Sequence, residues 1–291
     1  MKDVEYFAPE TLDEAAALLM ASGSGTRPLA EGTDLIAKAT EGRRTLSMVL
    51  DLKRIPELNR LDYDERNGLR IGAAVPFPAI LEFPPVQRVY PILADGSTSI
   101  APGEIQDRAT LGASLDHADA AAEIAPPLIC LRASAAVFGP HGWSELAVEA
   151  LFTGAGRTVL QPGEFVVDLR FPAPPPRSNG AYLRVLSWQQ AKSAVAGVGA
   201  FLVMEQDLRT CCGARLTLCG VVPTPMRALD AERFLAGKPL EDAILQEVAD
   251  LAAGSASPIA WPAGDRPDLV KGLTRRALAG ALERVRAGTA V

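Results

Sequence analysis

Small residues and hydroxyl side chains meet at two turns of the sequence, and these turns have the residue types best suited to hold a ligand. In the 28–35 turn, a short apolar stretch runs into Glu31-Gly32-Thr33, and a helical pattern then begins with Thr33 and Asp34. Backbone amides converge where a strand ends and a helix begins, and the helix dipole adds roughly half a positive charge there. The pattern therefore suits a pyrophosphate group.

The 108–115 turn has the sequence R-A-T-L-G-A-S-L and is followed by Asp119 and Glu123. Its small residues allow a close approach to a ligand, and its hydroxyls, beside a carboxylate, can hold ribityl or ribose hydroxyls. Two ordinary tight turns, capped by Thr and Ser, explain the same residues when each turn is considered alone. The residue types and spacing leave both interpretations open.

Side chains that could perform acid, base or nucleophilic chemistry are few. The two histidines, His117 and His141, stand in turn-like contexts, and no nucleophile-elbow, zinc-protease or Walker motif is present. The four cysteines include no C-x-x-C pair, so we predict reduced thiols and no metal site. We therefore predict no catalytic side chain on this chain and favour a cofactor carrier or a binding subunit.

Composition excludes several other classes. A length of 291 residues with 48% apolar residues predicts about two domains with their own cores. The net charge of −6 and three widely separated tryptophans argue against nucleic-acid binding. No stretch approaches the ~18 apolar residues of a membrane span, and no signal peptide is visible. We expect a cytoplasmic protein.

The elements around the first turn alternate between strand and helix. The apolar stretches Val4–Ala8, Arg27–Ala30 and Ser47–Leu52 predict strands, and the capping box Thr11–Glu14 opens a helix. This order predicts a small parallel sheet. The elements predicted after residue 58 are a hairpin over Leu61–Gly72, a helix over Ala118–Leu131 interrupted by Pro126-Pro127, a strand over Ala133–Phe138, a helix over Ser144–Phe152 and a strand over Glu164–Phe171.

The proline run Pro172–Pro176 marks the clearest boundary, because consecutive prolines form a stiff extended spacer. Three predicted strands and then three predicted helices follow it, which is the pattern of an α+β domain. We therefore predict one domain over 1–175, with lobes of about 1–57 and 58–175, and a second domain over 178–288.

In their order along the chain, these segments resemble the FAD-binding (medium) subunits of the molybdenum hydroxylase and xanthine dehydrogenase family, of the carbon monoxide dehydrogenase type. Ala30–Ile36 is similar to the family's A-G-G-T-D-L-L loop. Thr110–Leu115 and Ala118–Ile124 are similar to its T-I-G-G-N-L and A-D-P-A-A-D-L stretches. Thr158–Val166 resembles T-x-L-x-P-x-E followed by two hydrophobic residues. The resemblance covers nearly the whole chain.

The resemblance implies an α+β protein with the two-lobed FAD-binding fold of the vanillyl-alcohol-oxidase-like type. A small parallel α/β lobe and a larger mixed lobe would hold FAD, and an α+β C-terminal domain would follow. The diphosphate would lie on the first turn, Val166 would pack near the isoalloxazine ring, and Arg184 would lie close to it. The residues that the resemblance assigns to FAD are Leu29, Ala30, Glu31, Gly32, Thr33, Asp34, Leu35, Thr110, Gly112, Ser114, Glu123, Val166 and Arg184.

The implied function is that of an oxidoreductase flavoprotein subunit which does not turn over substrate alone. It would pass electrons from the [2Fe–2S] clusters of a small partner subunit to an external acceptor. Substrate would be hydroxylated at the molybdopterin of a large partner subunit, in a dimer of heterotrimers. Neither molybdopterin nor an iron–sulfur cluster is expected on this chain.

Three substitutions motivate an alternative function. Glu31 stands where the family has glycine, and Ala113-Ser114 stand where it has Gly-Asn. A carboxylate facing a phosphate at ~4 Å would cost on the order of 1–4 kcal/mol, so we expect Glu31 to point to solvent. The alternative is a flavin-free scaffold subunit of the same kind of complex. A self-contained flavin oxidase is disfavoured, because no substrate base or covalent flavin anchor is visible.

Overall fold

The computed structural model describes residues 4–21, 26–29, 47–98, 108–116, 121–154, 156–186, 194–256 and 266–288. None of the helices in these ranges combines the length and the hydrophobicity that a membrane span needs. The chain divides into two compact units. The first unit comprises residues 1–80, 102–121 and 133–171, and the second comprises residues 81–101, 122–132 and 172–291. Two segments from the amino-terminal half therefore belong to the second unit, while the linear division into 1–175 and 178–288 stays a prediction.

A small parallel sheet opens the first unit. Strands β1 (Glu5–Phe7), β2 (Thr26–Leu29) and β3 (Met48–Asp51) lie in the order β1-β3-β2, and both neighbouring pairs are parallel. Helix α1 (Leu12–Ala21) follows β1 and buries one apolar stripe. At its start the Thr11 hydroxyl accepts a hydrogen bond from the Glu14 N–H (3.3 Å), as the capping box predicts.

A five-stranded antiparallel sheet forms the rest of the first unit's framework. The order of its strands is β4 (Leu61–Asp64), β5 (Gly68–Gly72), β10 (Phe165–Phe171), β6 (Ser134–Gly139) and β7 (Gly142–Ala147). One face has an apolar, buried centre that includes Ile71, Leu169 and Phe171. The remaining elements of this unit are β4 (Leu61–Asp64), β5 (Gly68–Gly72), α2 (Phe77–Glu82), α5 (Leu111–Asp116), β6 (Ser134–Gly139), β7 (Gly142–Ala147), α7 (Val148–Leu151), β8 (Phe152–Gly154), β9 (Arg157–Thr158) and β10 (Phe165–Phe171), with α2 reaching into the second unit's range.

The helix predicted over Ser144–Phe152 is wrong. Residues 142–147 form strand β7, which pairs with β6 across a two-residue turn, and a single helical turn over Val148–Leu151 follows. Gly142 adopts φ +89°, a conformation that glycine reaches without strain, and this residue turns the chain back along β6. The decisive interaction is therefore pairing with a neighbouring strand, which outweighs the local helical pattern.

In the second unit, a four-stranded antiparallel sheet carries helices on both faces. On β11 (Ser178–Leu186), Ala181 lies 3.3 Å from a Cβ built at Gly280 of α10 (Arg266–Gly288), whereas a Cβ at Gly180 would lie 2.9 Å from Ile92 of α4 (Pro91–Thr98). Neighbouring strand residues point to opposite faces, so α10 and α4 cover different sides. The elements of this unit are α3 (Pro84–Val89), α4 (Pro91–Thr98), α6 (Ala121–Cys130), β11 (Ser178–Leu186), β12 (Ala194–Met204), β13 (Cys211–Cys219), β14 (Met226–Arg227), α8 (Leu229–Leu235), α9 (Asp242–Gly254) and α10 (Arg266–Gly288).

The interruption predicted at Pro126-Pro127 is also wrong, because α6 continues through both prolines to Cys130. Each proline removes one N–H donor from the helix. Close packing of both prolines against β12 and α4 accompanies the loss of these two donors. A Cβ built at Gly199 of β12 would lie 3.3 Å from Pro126, and one at Gly96 of α4 would lie 2.6 Å from Pro127. Glycine at both positions therefore lets the proline rings approach closely.

Candidate functional site

The first predicted turn begins where β2 ends. Leu29 is the last residue of β2, is buried, and lies opposite Asp51 at the end of β3. The other predicted residues of this turn, Ala30 to Leu35, lie outside the described residues. The described chain therefore shows that the turn begins at the carboxyl edge of the parallel sheet, the edge at which open α/β sheets bind their ligands.

A tyrosine that the sequence did not single out lies at the same edge. The Tyr6 hydroxyl, near the end of β1, donates to the Asp51 carboxylate (2.6 Å), which also accepts the Lys53 N–H (3.0 Å). The hydrogen bond to Asp51, more than burial, raises the pKa of Tyr6. The ring is 61% exposed although its hydroxyl is fixed. The sequence feature that could have indicated this contact is Asp51, which stands at the end of a predicted parallel strand.

The 108–115 turn satisfies its own hydroxyl groups. The Thr110 hydroxyl accepts a hydrogen bond from the Ala113 N–H (3.3 Å), and the Ser114 hydroxyl donates to the Thr110 carbonyl (2.9 Å). Both side chains are buried, whereas Gly112 and Ala113 are half-exposed. Thr110 thus caps the start of α5. Gly112 and Ala113 are therefore the half-exposed residues of the turn, and the hydroxyls of Thr110 and Ser114 stabilise its conformation.

The 72–77 segment, which follows β5, fixes the position of this turn. The Gly112 N–H donates to the Ala73 carbonyl (3.1 Å), and the Phe77 N–H donates to the Ala109 carbonyl (3.0 Å). A Cβ at Gly112 would lie 2.6 Å from both the Cβ and the carbonyl oxygen of Ala73. Glycine at position 112 is therefore required by close packing against Ala73.

The same segment contacts strand β10, which carries Val166. The Ala73 N–H donates to the Val167 carbonyl (2.8 Å), at a bulge between Val166 and Asp168. Val166 pairs with Val137 of β6 and is buried. The structure therefore brings Thr110, Gly112, Ser114 and the Val166 strand together through Ala73.

Two predicted residues lie on elements of the second unit. Arg184 is half-buried on β11, opposite Gly197 of β12. Glu123 belongs to α6, and its side chain is outside the described part of the structure. Their predicted roles at the flavin stay predictions.

The P-x-E part of the third motif forms a turn that leads into β10. Gly163 adopts φ +87°, and the Glu164 carboxylate accepts the Gln161 N–H (2.8 Å) while the Glu164 N–H donates to the Gln161 carbonyl (2.9 Å). A Cβ at Gly163 would also lie 2.8 Å from Pro140. These contacts explain the glycine and the glutamate as turn residues that set where β10 begins.

Metal chemistry receives no support from the described ranges, in which no three His, Cys, Asp or Glu side chains are grouped as metal ligands. The cysteines are free thiols, of which Cys130, Cys211 and Cys219 are buried and Cys212 is exposed. Burial raises the pKa of Cys130 to about 12 and that of Cys211 to about 11. These thiols are therefore protonated at neutral pH.

A small parallel α/β lobe and a larger antiparallel lobe, with a small-residue turn that is half-exposed at Gly112 and Ala113, form the architecture of the two-lobed flavoprotein class. Comparison with protein families gives the particular family. Residues 2–174 match the FAD binding domain in molybdopterin dehydrogenase, and residues 181–281 match the CO dehydrogenase flavoprotein C-terminal domain. The chain belongs to this family and is an FAD-binding oxidoreductase subunit.

Relatives and solved structures agree along nearly the whole chain. The 6-hydroxypseudooxynicotine dehydrogenase complex subunit alpha of Paenarthrobacter nicotinovorans is 26% identical, covering 97% of this chain and 95% of the relative. The carbon monoxide dehydrogenase medium chain of Hydrogenophaga pseudoflava is 29% identical, covering 90% and 88%. A crystal structure of the H. pseudoflava enzyme matches with a TM-score of 0.89, over 97% of this chain and 98% of that chain. These matches confirm the predicted family and α+β flavoprotein fold.

The described residues fit the cofactor of this family at the 108–115 turn. Half-exposed backbone at Gly112 and Ala113 permits a close approach by a ribityl chain or phosphate, and the hydroxyls of Thr110 and Ser114 keep the turn in place. Val166 adds an apolar side chain on the adjacent strand, which suits a flavin ring. Because the N–H groups of Gly112, Ala113 and Ser114 are bonded within the protein, this turn offers a ligand a close approach to its small residues.

Proposed function

We propose that this chain is the FAD-carrying electron-transfer subunit of a multi-subunit molybdenum hydroxylase, which passes electrons from the [2Fe–2S] clusters of a partner subunit to an external acceptor. When bound, FAD supplies the redox chemistry, and the protein supplies binding and orientation. The observation that supports the proposal most strongly is the likeness to a carbon monoxide dehydrogenase chain over 97% of this chain. Relatives carry names such as medium chain and complex subunit.

The proposal extends to partners and location. A molybdopterin-binding large subunit and a small [2Fe–2S] subunit would complete a heterotrimer, two copies of which would form the whole enzyme in the cytoplasm. This chain would not turn over substrate alone, since substrate would bind to the large subunit. The chain itself would consist of an FAD-binding domain over 1–175 and a C-terminal domain over 178–288.

Each predicted site residue has a proposed role. The turn from Leu29 to Leu35 would hold the diphosphate through its backbone amides at the carboxyl edge of the parallel sheet. Gly112 would admit the ribityl chain and phosphate at its half-exposed backbone, with Thr110 and Ser114 shaping the turn. Glu123 would also hold the ribityl chain and phosphate. Val166 would pack on the isoalloxazine ring, and Arg184 would lie near that ring.

The test is a measurement of flavin in the full chain co-expressed with its two partner subunits. We expect the absorption bands of oxidised flavin and about one FAD for each copy of this chain, since one nucleotide site is proposed. A well-folded complex without these bands would contradict the proposal. The isolated chain provides the control for substrate turnover, which we expect to be absent.

A scaffold subunit without flavin is the second candidate. Ser114 stands where the family has Asn, and its hydroxyl is already bonded to the Thr110 carbonyl, so it offers a ligand less than an amide would. Glu31→Gly separates the two functions. Flavin binding that appears only in this variant would establish the scaffold, whereas tight binding by the native chain would exclude it.

A further inference from the structure

The 72–77 segment is fixed by backbone hydrogen bonds to several elements of the first unit. The Gly72 N–H donates to the Arg60 carbonyl (2.7 Å), and the Ala74 N–H donates to the Leu58 carbonyl (2.9 Å). Pro76 also forms a bridge with Thr110. The segment is thus anchored to Leu58 and Arg60, which precede β4, and through Pro76 to the 108–115 turn.

Ala73 lies between the two parts of the proposed flavin site and bonds to each of them. Its N–H donates to the Val167 carbonyl (2.8 Å), beside the residue proposed to touch the ring, and its carbonyl accepts the Gly112 N–H (3.1 Å). One peptide residue therefore links strand β10 to the turn. Because both bonds are made by the backbone, the side chain at position 73 only sets how closely the turn can pack.

The contact between Ala73 and Gly112 leaves no spare space. An added Cβ at Gly112 would lie 2.6 Å from the Ala73 Cβ and carbonyl oxygen and 3.0 Å from its Cα. Ala73 itself is buried. Atoms added to the Ala73 side chain beside the turn must therefore displace the turn or deform the segment, since protein interiors contain few voids.

We propose that Ala73 is a positioning residue for the flavin, which sets the distance between the Val166 strand and the 108–115 turn without touching the cofactor. The inference rests on the proposed function, because the distance matters only if one FAD contacts both parts. A ligand held at two points binds tightly only when the spacing of the two points matches it. The Val167 carbonyl, which accepts the Ala73 N–H, belongs to the bulge that β10 forms in its pairing with β6.

Ala73→Val and Ala74→Val test the inference as a matched pair. Both alanines are buried, adjacent and anchored through their N–H groups, but only Ala73 lies against Gly112. We expect Ala73→Val to raise the FAD dissociation constant of the co-expressed complex at least about tenfold, and Ala74→Val to raise it less than about threefold. Both should lower the melting temperature similarly, because both overpack the same segment.

Two further measurements separate positioning from simple loss of structure. Ala73→Gly keeps both backbone hydrogen bonds, so we expect it to bind FAD within a few-fold of the native chain. At saturating FAD, the visible circular dichroism of the flavin should change in Ala73→Val and stay native in Ala74→Val. If the native complex holds no FAD, the proposed function fails. If it holds FAD and the two valine variants bind it equally with the same flavin spectrum, only the positioning inference is overturned.

Discussion

The five-stranded and four-stranded sheets of this chain carry their charged groups in different places. On the five-stranded sheet, Arg70 and Arg170 both donate to the buried carboxylate of Asp168, at 2.5 and 3.0 Å, and Arg170 continues to Glu145 at 2.7 Å. These ion pairs cross the face of the sheet from β5 through β10 to β7. We call them the face network.

On the four-stranded sheet, an ion pair lies at the edge strand β11. Arg284 donates to both oxygens of Asp95, at 2.6 and 2.8 Å, and to the Gly180 carbonyl at 2.7 Å. Asp95 also accepts the Tyr182 N–H at 3.0 Å. The pair therefore occupies backbone groups on the side of β11 that faces away from β12, and we call it the edge pair.

The difference follows from how each sheet is covered. Helices pack on both faces of the four-stranded sheet, and Arg284, which comes from helix α10, reaches Asp95 beside the edge strand β11. The five-stranded sheet has one apolar face and one face that carries half-exposed arginines, so opposite charges on neighbouring strands can pair directly. The edge pair also blocks a row of backbone groups that an exposed edge would offer to other chains. The face network joins neighbouring strands, whereas the edge pair covers the outer edge of β11.

Replacing Asp168 should have the largest effect. Asp168→Ala leaves two guanidinium groups, which face each other across β5 and β10, without their shared carboxylate, and we expect a loss of about 3 kcal/mol in the free energy of unfolding. Urea titration followed by far-UV circular dichroism measures this loss. Glu145→Ala removes the exposed end of the same network and should cost less than about 1 kcal/mol. Equal losses in the two variants would mean that burial of Asp168 is irrelevant to the face network.

Replacing Asp95 should cost less, about 2 kcal/mol, because Arg284 is partly exposed and regains water when its partner is removed. Asp95→Ala also frees the Tyr182 N–H and the edge of β11. Hydrogen exchange should show faster exchange at Tyr182 in the variant, with unchanged exchange in the central strand β12. Arg284→Met is the companion variant. If the Tyr182 amide stays protected from exchange in this variant, the Asp95 carboxylate alone protects the edge and the guanidinium group is not required.

The fold could be predicted largely from the order of local patterns. The three parallel strands, the Leu61–Gly72 hairpin and the strand ending at Phe171 follow from apolar runs bounded by turn residues, and the structure confirms them within one or two residues. The Ser144–Phe152 prediction failed because W-S-E-L-A suits a helix locally, whereas pairing with β6 selects a strand. Such pairing depends on a neighbour that a local pattern does not contain.

The site could be predicted less completely. The small residues of the 108–115 turn indicate a close approach to a ligand. In the structure the hydroxyls of Thr110 and Ser114 form hydrogen bonds within the turn, and their contact with a ligand stays a prediction. Ala73 carries no signal of its own, since an alanine after a strand resembles any buried alanine. Its importance arises from Gly112 and Val167, which contact it only in the folded chain.

The smallest effect on stability is expected at alkaline pH, and it arises from a thiol buried against a covered face of the four-stranded sheet. Cys130, at the end of α6, is buried against β13, with its thiol 3.5 Å from the Thr217 hydroxyl, and burial raises its pKa from 9.0 to about 12. A raised pKa in the folded state stabilises the protein fully below the unfolded-state pKa, and this contribution is lost as pH rises towards the folded-state pKa. Between about pH 9 and pH 10, Cys130 should therefore cost about 1 kcal/mol of stability.

The measurement is urea unfolding of the native chain and Cys130→Ala at both pH values. Because the variant has no thiol to titrate there, its stability should fall less over this interval, by that amount. Parallel pH dependence in the two proteins would show that the Cys130 thiol ionises as readily in the folded chain as in the unfolded one, which would contradict the prediction.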